Sequence, residues 1–137
     1  MLAIDLNRKT VEDIIKRIRK FPWNNPKVYR FILARFLKVW KIKYVNIHHV
    51  ANVVSGLYRY HEEFIVDLID SVLEEIRVGL EECDARKNQR RVAVLKYLGE
   101  LYNYRVIESS TIFDTLYFLI TYGHGMSPPT SFYHFFY

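Results

Sequence analysis

The sequence predicts an all-α protein, a HEAT-like α-solenoid of six helices in antiparallel pairs. Three observations carry this. Apolar residues recur at spacings of three and four through most of the chain, as they do on amphipathic helices. The links between these stretches are short, which makes sequential helices antiparallel neighbours. No stretch shows a competing strand pattern. Three consecutive hairpins of ~35–45 residues fit stacked helical repeats, although no residue-level repeat relates the pairs.

Residues 1–9 read as a leader, 10–125 as the helical domain and 126–137 as an aromatic tail. Thr10, followed by Val11, Glu12 and Asp13, resembles a capping box with Asp in place of Glu or Gln. The first helix starts there, with Val11, Ile14, Ile15, Ile18 and Phe21 as its apolar stripe. Lys16, Arg17, Arg19 and Lys20 lie on the other face and at the C-terminal end, where the helix dipole favours cations. Pro22 ends it. Asn25-Pro26 pairs an N-cap with proline at the first helical position. The second helix runs to Trp40, with Val28, Phe31, Ile32, Arg35, Phe36, Val39 and Trp40 on a mostly apolar face. Asn46 caps a third helix reaching Tyr60, with Ile47, Val50, Val53, Val54 and Leu57 inward. The fourth covers His61–Ala85. After a polar break at Asp84–Lys87, a fifth covers Asn88–Tyr102 and a sixth Glu108–Tyr122, stopped by Gly123-His124-Gly125. Gly79 and Gly99 inside helices point to close helix approach, since each costs ~1 kcal/mol relative to Ala.

At 137 residues, half of them hydrophobic, the chain can build one domain with its own core. Eleven Tyr and nine Phe imply large core side chains and aromatic surface that another element or partner covers. The net charge of +5 permits anionic partners without demanding them. A lone cysteine, Cys83, rules out an internal disulfide framework and fits a reducing, cytoplasmic setting. No run has the length of a signal-peptide core or a membrane span.

The fourth helix stands out. It holds nine of the 15 acidic residues and a single base, Arg77. At about 100° per residue, Asp70, Glu74 and Glu81 fall within ~40° of one another, with Asp67 beside them. Like charges four apart on a helix repel, and only Arg77 relieves them. The face is either a solvated surface or a docking site for a basic partner. Just beyond, Arg86, Lys87, Arg90 and Arg91 form a basic cluster. It can meet a phosphate backbone or an acidic partner, or pair within the chain with Glu81, Glu82 and Asp84; the second reading is favoured.

Catalytic signatures are missing. His61-Glu62-Glu63 begins like a zinc-protease helix, but Ile65 occupies the second histidine position. His48 and His49 are adjacent, so on a helix they diverge by ~100°. Five glycines form no phosphate loop. The sequence predicts no enzyme activity, no metal and no cofactor.

Asn88–Arg91 (NQRR), Lys96–Arg105 (KYLGELYNYR), Val106–Ser109 (VIES) and Ile112-Phe113 together resemble the MIF4G-type domain, named after the middle region of translation initiation factor four-G. Within that family the chain is most similar to the third such domain of the up-frameshift-two scaffolds of nonsense-mediated mRNA decay. Phe21-Pro22-Trp23, Trp40, Lys43-Tyr44, Ile47-His48, Val50-Ala51-Asn52, Val72-Leu73-Glu74, Ile76-Arg77 and Gly79 extend the match over Val11–Tyr122. The resemblance implies a HEAT-like fold and a non-enzymatic scaffold of mRNA surveillance. The implied partner is the basic RNA-recognition-motif-like domain of up-frameshift protein three, and the implied contacts are Asp70, Glu74 and Glu81. RNA and other decay-complex proteins are the further implied partners. An RNA-binding or helicase-docking module of a translation or mRNA-processing factor is the alternative. Domains of this family continue past a sixth helix. The resemblance therefore implies an N-terminal part of one, with residues 126–137 starting an incomplete helix whose Phe132, Tyr133, Phe135, Phe136 and Tyr137 are partly exposed.

Overall fold

The computed structural model describes residues 8–82 and 84–122, which form six α-helices and no strand: α1 (Arg8–Arg19), α2 (Pro26–Leu37), α3 (Ile47–Leu57), α4 (Glu62–Glu82), α5 (Asn88–Asn103) and α6 (Ser109–Tyr122). Short 3-10 turns at Val39–Lys41, Tyr44–Asn46 and Ala85–Lys87 complete the links. The all-α reading holds. The expectations for the tail and for Cys83 lie outside the described residues.

The helices stack in alternation. α1 packs on α3 and α3 on α5 in one layer, α2 packs on α4 in the other, and α4 also closes on α5. A solenoid does this when corresponding helices of successive hairpins lie on each other. α3 has no exposed residue: Ile47, Val50, Ala51, Val53, Val54 and Leu57 are buried, and His48, His49, Asn52, Ser55 and Gly56 are half-buried. α1 contributes Val11, Ile14 and Ile18, α4 contributes Phe64, Ile65, Leu68, Val72 and Ile76, and α5 contributes Ala93, Val94, Tyr97, Leu98 and Leu101.

Several helix ends differ from the sequence reading. α1 begins at Arg8, ahead of the Thr10 cap. Asn25 caps α2 as expected, accepting from the Lys27 N–H at 3.0 Å. α2 stops at Leu37 rather than Trp40, because Lys38 leaves helical geometry (φ −80°, ψ 53°). The 3-10 turn that follows buries Val39 and sets the Trp40 ring 4.0 Å from the Arg90 guanidinium of α5. Asn46 closes a 3-10 turn and makes no side-chain cap bond. α3 ends at Leu57, whose carbonyl accepts from the N–H groups of Tyr60 and His61. α5 ends in a Schellman motif: Val106 N–H bonds to Leu101 O at 2.8 Å and Arg105 N–H to Tyr102 O at 2.9 Å. Arg105 occupies the left-handed position (φ 60°) usually given to glycine.

Phe31 also departs from expectation. It lies on the mostly apolar face of the second helix, yet it is 60% exposed. Gly99 has no atom within 4 Å of a hypothetical Cβ, so close approach does not explain it, whereas one at Gly79 would meet Arg91 Cγ at 3.0 Å. The closest approach falls at Gly56, where a Cβ would lie 2.4 Å from Ile15 Cδ1.

Candidate functional site

α4 is the longest helix, and its two faces differ in character. The inner face is the apolar ridge packed on α2, α3 and α5. On the outer side Asp70 is exposed and makes no ion pair among the described residues. Glu74 and Glu81 flank Arg77, which donates to Glu74 Oε2 through Nε at 3.1 Å, to Glu74 Oε1 through Nη2, and to Glu81 Oε1 through Nη1 at 2.9 Å. Arg77 is the more enclosed member, with 17% of its side chain exposed against 38% for Glu74 and 35% for Glu81. The guanidinium lies low between the two carboxylates and holds both in one orientation. Bidentate guanidinium–carboxylate geometry supplies that rigidity. The stripe keeps more carboxylates than cations.

Asp67 sits at the edge of this stripe, one turn before Asp70, and is tied down: the Tyr29 hydroxyl of α2 donates to its Oδ2. Burial pushes the Tyr29 phenol well above its ordinary range, and the bond to Asp67 and the charges of Asp67 and Glu63 add to the shift. The phenol therefore stays protonated and remains a donor. Glu62 and Glu63 are exposed in the first turn of α4, where the helix dipole favours them.

The basic cluster is engaged within the chain. Arg86 pairs with Asp84 at 3.3 Å and Lys87 with Glu82 at 2.5 Å. Arg90 pairs with Glu75 and lies over Trp40. Arg91 donates to the carbonyls of Gly79 and Asp84 and to Asn88 Oδ1. Of the acids expected to pair with them, Glu82 and Asp84 do so, Glu81 goes to Arg77, and Glu75 takes the remaining place. Asp84 also caps the 3-10 turn; the Arg86 N–H and then the Arg86 side chain hold its carboxyl below the usual range. Together these contacts brace the C-terminal end of α4 against α5.

Sequence reasoning found the stripe and missed Tyr29, Glu75 and Trp40, whose partners lie 38, 15 and 50 positions away. No local pattern marks them. His48 and His49 do not diverge as expected: their ring centroids lie 3.9 Å apart. Among the described residues no group of three or more His, Cys, Asp or Glu is placed to hold a metal, and no helix is long and apolar enough to cross a membrane.

Fold and charge pattern together define a HEAT-like helical-repeat domain with one carboxylate-rich face. A family model described as MIF4G domain matches residues 3–135, and the chain belongs to that family. It is 45% identical over 139 residues to the regulator of nonsense transcripts UPF2 of Arabidopsis thaliana, covering 97% of this chain and 12% of the relative. It is 42% identical over 123 residues to the human regulator of nonsense transcripts 2, covering 90% and 10%. It is 35% identical over 133 residues to the nonsense-mediated mRNA decay protein 2 of Saccharomyces cerevisiae, covering 97% and 12%. The chain thus spans about a tenth of the length of these curated relatives.

Proposed function

We propose that this chain is a non-enzymatic, cytoplasmic scaffold module of nonsense-mediated mRNA decay. In this reading it binds the basic RNA-recognition-motif-like domain of up-frameshift protein three through the outer face of α4. The observation that carries the reading is the stripe of Asp70, Glu74 and Glu81 on the outer side of a rigid helix, Asp70 and Glu81 exposed, Glu74 half-buried, and the two glutamates held by one guanidinium, Arg77. A preorganised row of carboxylates meets basic side chains without first freezing its own rotamers. Such a contact steers encounter and weakens as salt rises. Asp67, held by Tyr29, extends the row at one end. Other decay proteins bind through regions outside this chain.

Calorimetry with the partner's isolated RNA-recognition-type domain, at low and high salt, tests this. Glu74→Arg with Glu81→Arg should weaken binding about a hundredfold or more, because like charges across an interface cost several kcal/mol. Circular dichroism should still show the helices, because the reversal removes ion pairs on the outer side of α4 and leaves its buried apolar ridge intact. Lys16→Glu with Arg17→Glu, on α1, should have little effect. If the Glu74/Glu81 reversal binds as well as the unaltered chain, the stripe is a solvated face and the proposal fails. Tighter binding to single-stranded RNA than to the protein partner would equally count against it.

A further inference from the structure

α1 packs on α3 rather than on α2, and α1 and α2 leave an open groove between them. Its volume is about 300 Å³, and Ile14, Ile18, Ile32 and Phe36 floor it. Each of the four is buried, so the groove is a continuation of the core that opens to solvent. Phe21 and Phe31 stand at its mouth, 37% and 60% exposed. A phenylalanine left this open beside an apolar floor marks surface that a partner covers.

The rim carries a run of cations. Arg35, Lys38 and Lys41 line one side of the groove. None of them pairs with a carboxylate among the described residues, and Arg35 only leans over the Phe31 ring at 5.2 Å. The four bases after α4, by contrast, are all engaged within the chain. An apolar trough edged by three unpaired cations complements an apolar side chain flanked by carboxylates.

We propose that this groove docks an amphipathic acidic segment of a protein partner. A bulky aliphatic or aromatic side chain enters the trough, and neighbouring Asp or Glu side chains lie on the Arg35–Lys38–Lys41 rim. Helix-in-groove recognition places its anchors in this way. Nucleic acid fits less well. Bases need flat stacking surfaces and polar edges; three of the four floor residues are isoleucines, the fourth, Phe36, is 1% exposed, and only Phe21 and Phe31 at the mouth offer open rings. The site shares no residue with the α4 stripe and is opposite to it in charge. It therefore serves a second partner surface, and the two can be separated by mutation.

The test uses the full 137-residue chain and fluorescence anisotropy. The probe is a labelled synthetic helix-forming peptide with Leu and Phe on one face and Glu and Asp on the other. The controls are the same peptide with Lys replacing the acids, and a labelled oligo-uridine. The acidic peptide should bind and the lysine version should not. Lys38→Glu with Lys41→Glu should weaken binding about tenfold or more by opposing charge across the contact, and Phe31→Ser, at an exposed position, should also weaken it. Glu74→Arg with Glu81→Arg should leave it unchanged, which keeps this result independent of the α4 reading. The proposal is overturned if the acidic peptide does not bind, or if it binds the charge-reversed chain equally well. It is overturned in favour of nucleic acid if oligo-uridine binds more tightly and competes. Peptide binding that appears only after residues 2–7 are removed would assign the groove to the chain's own leader. A dimer in light scattering that Phe31→Ser dissolves would assign it to a second copy.

Discussion

Gly56 and Gly99 both lie inside continuous helices, and their surroundings differ. At Gly99 nothing lies within 4 Å of an added methyl, so the glycine contributes only its entropic penalty. Gly99→Ala should raise stability by ~0.5–1 kcal/mol. At Gly56 the methyl would reach Ile15 Cδ1 at 2.4 Å and Cγ1 at 3.3 Å, where α3 crosses α1. The atom met is the terminal methyl of half-buried Ile15, which has to turn aside, and that shift offsets part of the gain in helix propensity. Urea unfolding should therefore show a smaller rise in midpoint for Gly56→Ala than for Gly99→Ala; the reverse order would contradict this account of the α1–α3 crossing. Helical spacing alone exposed Gly79 and Gly99 as interior glycines, and it could not say which met a neighbour, because the neighbour comes from another helix.

α4 is secured at its start by a contact outside the helix itself. The His61 ring stacks on Trp23 with centroids 3.9 Å apart and planes 21° apart, while Trp23 Nε1 donates to Ile18 O at 3.0 Å and the ring meets Phe64 edge-on at 5.0 Å. The α1–α2 turn is thus clamped to α4. Burial, and next the charge of Arg19, push His61 below its ordinary value of 6.5. The folded state therefore holds His61 neutral more firmly than the unfolded chain does. Its contribution is complete above pH 6.5 and is lost as pH falls from there through the depressed folded value. His49 acts in the same direction, through burial and then the neighbouring His48. Thermal unfolding between about pH 8 and about pH 5 should show falling Tm on the acid side. His61→Phe keeps an aromatic ring against Trp23 and removes the proton site, so its slope should be shallower. Equal slopes for both chains would eliminate His61 as a source of the dependence. The helix was legible from its apolar spacing, and so was the acidic stripe, since both are properties of one periodic segment. The clamp was not, because Trp23 and His61 belong to different turns.

α6 completes the described molecule with a face turned outward. Phe113, Leu116, Tyr117 and Ile120 follow helical spacing on its outer side and are 67%, 47%, 61% and 72% exposed, while Thr115 and Phe118 face inward. A contiguous apolar strip of this kind binds hydrophobic dyes and promotes association. Phe113→Ser with Ile120→Ser should reduce anilinonaphthalene sulfonate fluorescence and concentration-dependent light scattering, with the circular dichroism spectrum retained. Dye binding equal in the variant and the unaltered chain would place the apolar surface elsewhere.

Apolar periodicity carried the all-α class, the order of six helices, most of the core and the common face of Asp70, Glu74 and Glu81. These follow from side chains three and four apart on one backbone, so a linear reading recovers them. Where α2 stops, which acids the basic cluster uses and where the groove opens depend on pairs distant in the chain. Trp40 leaves the helical path to meet Arg90, Asp67 accepts from Tyr29, and Glu75 rather than Glu81 takes Arg90. Phe31 obeys the apolar spacing of α2 yet stays open to solvent, because α1 packs on α3 and leaves that side of α2 uncovered. Local pattern sets which face of a helix is apolar. Whether another helix covers that face is settled by how the layers stack.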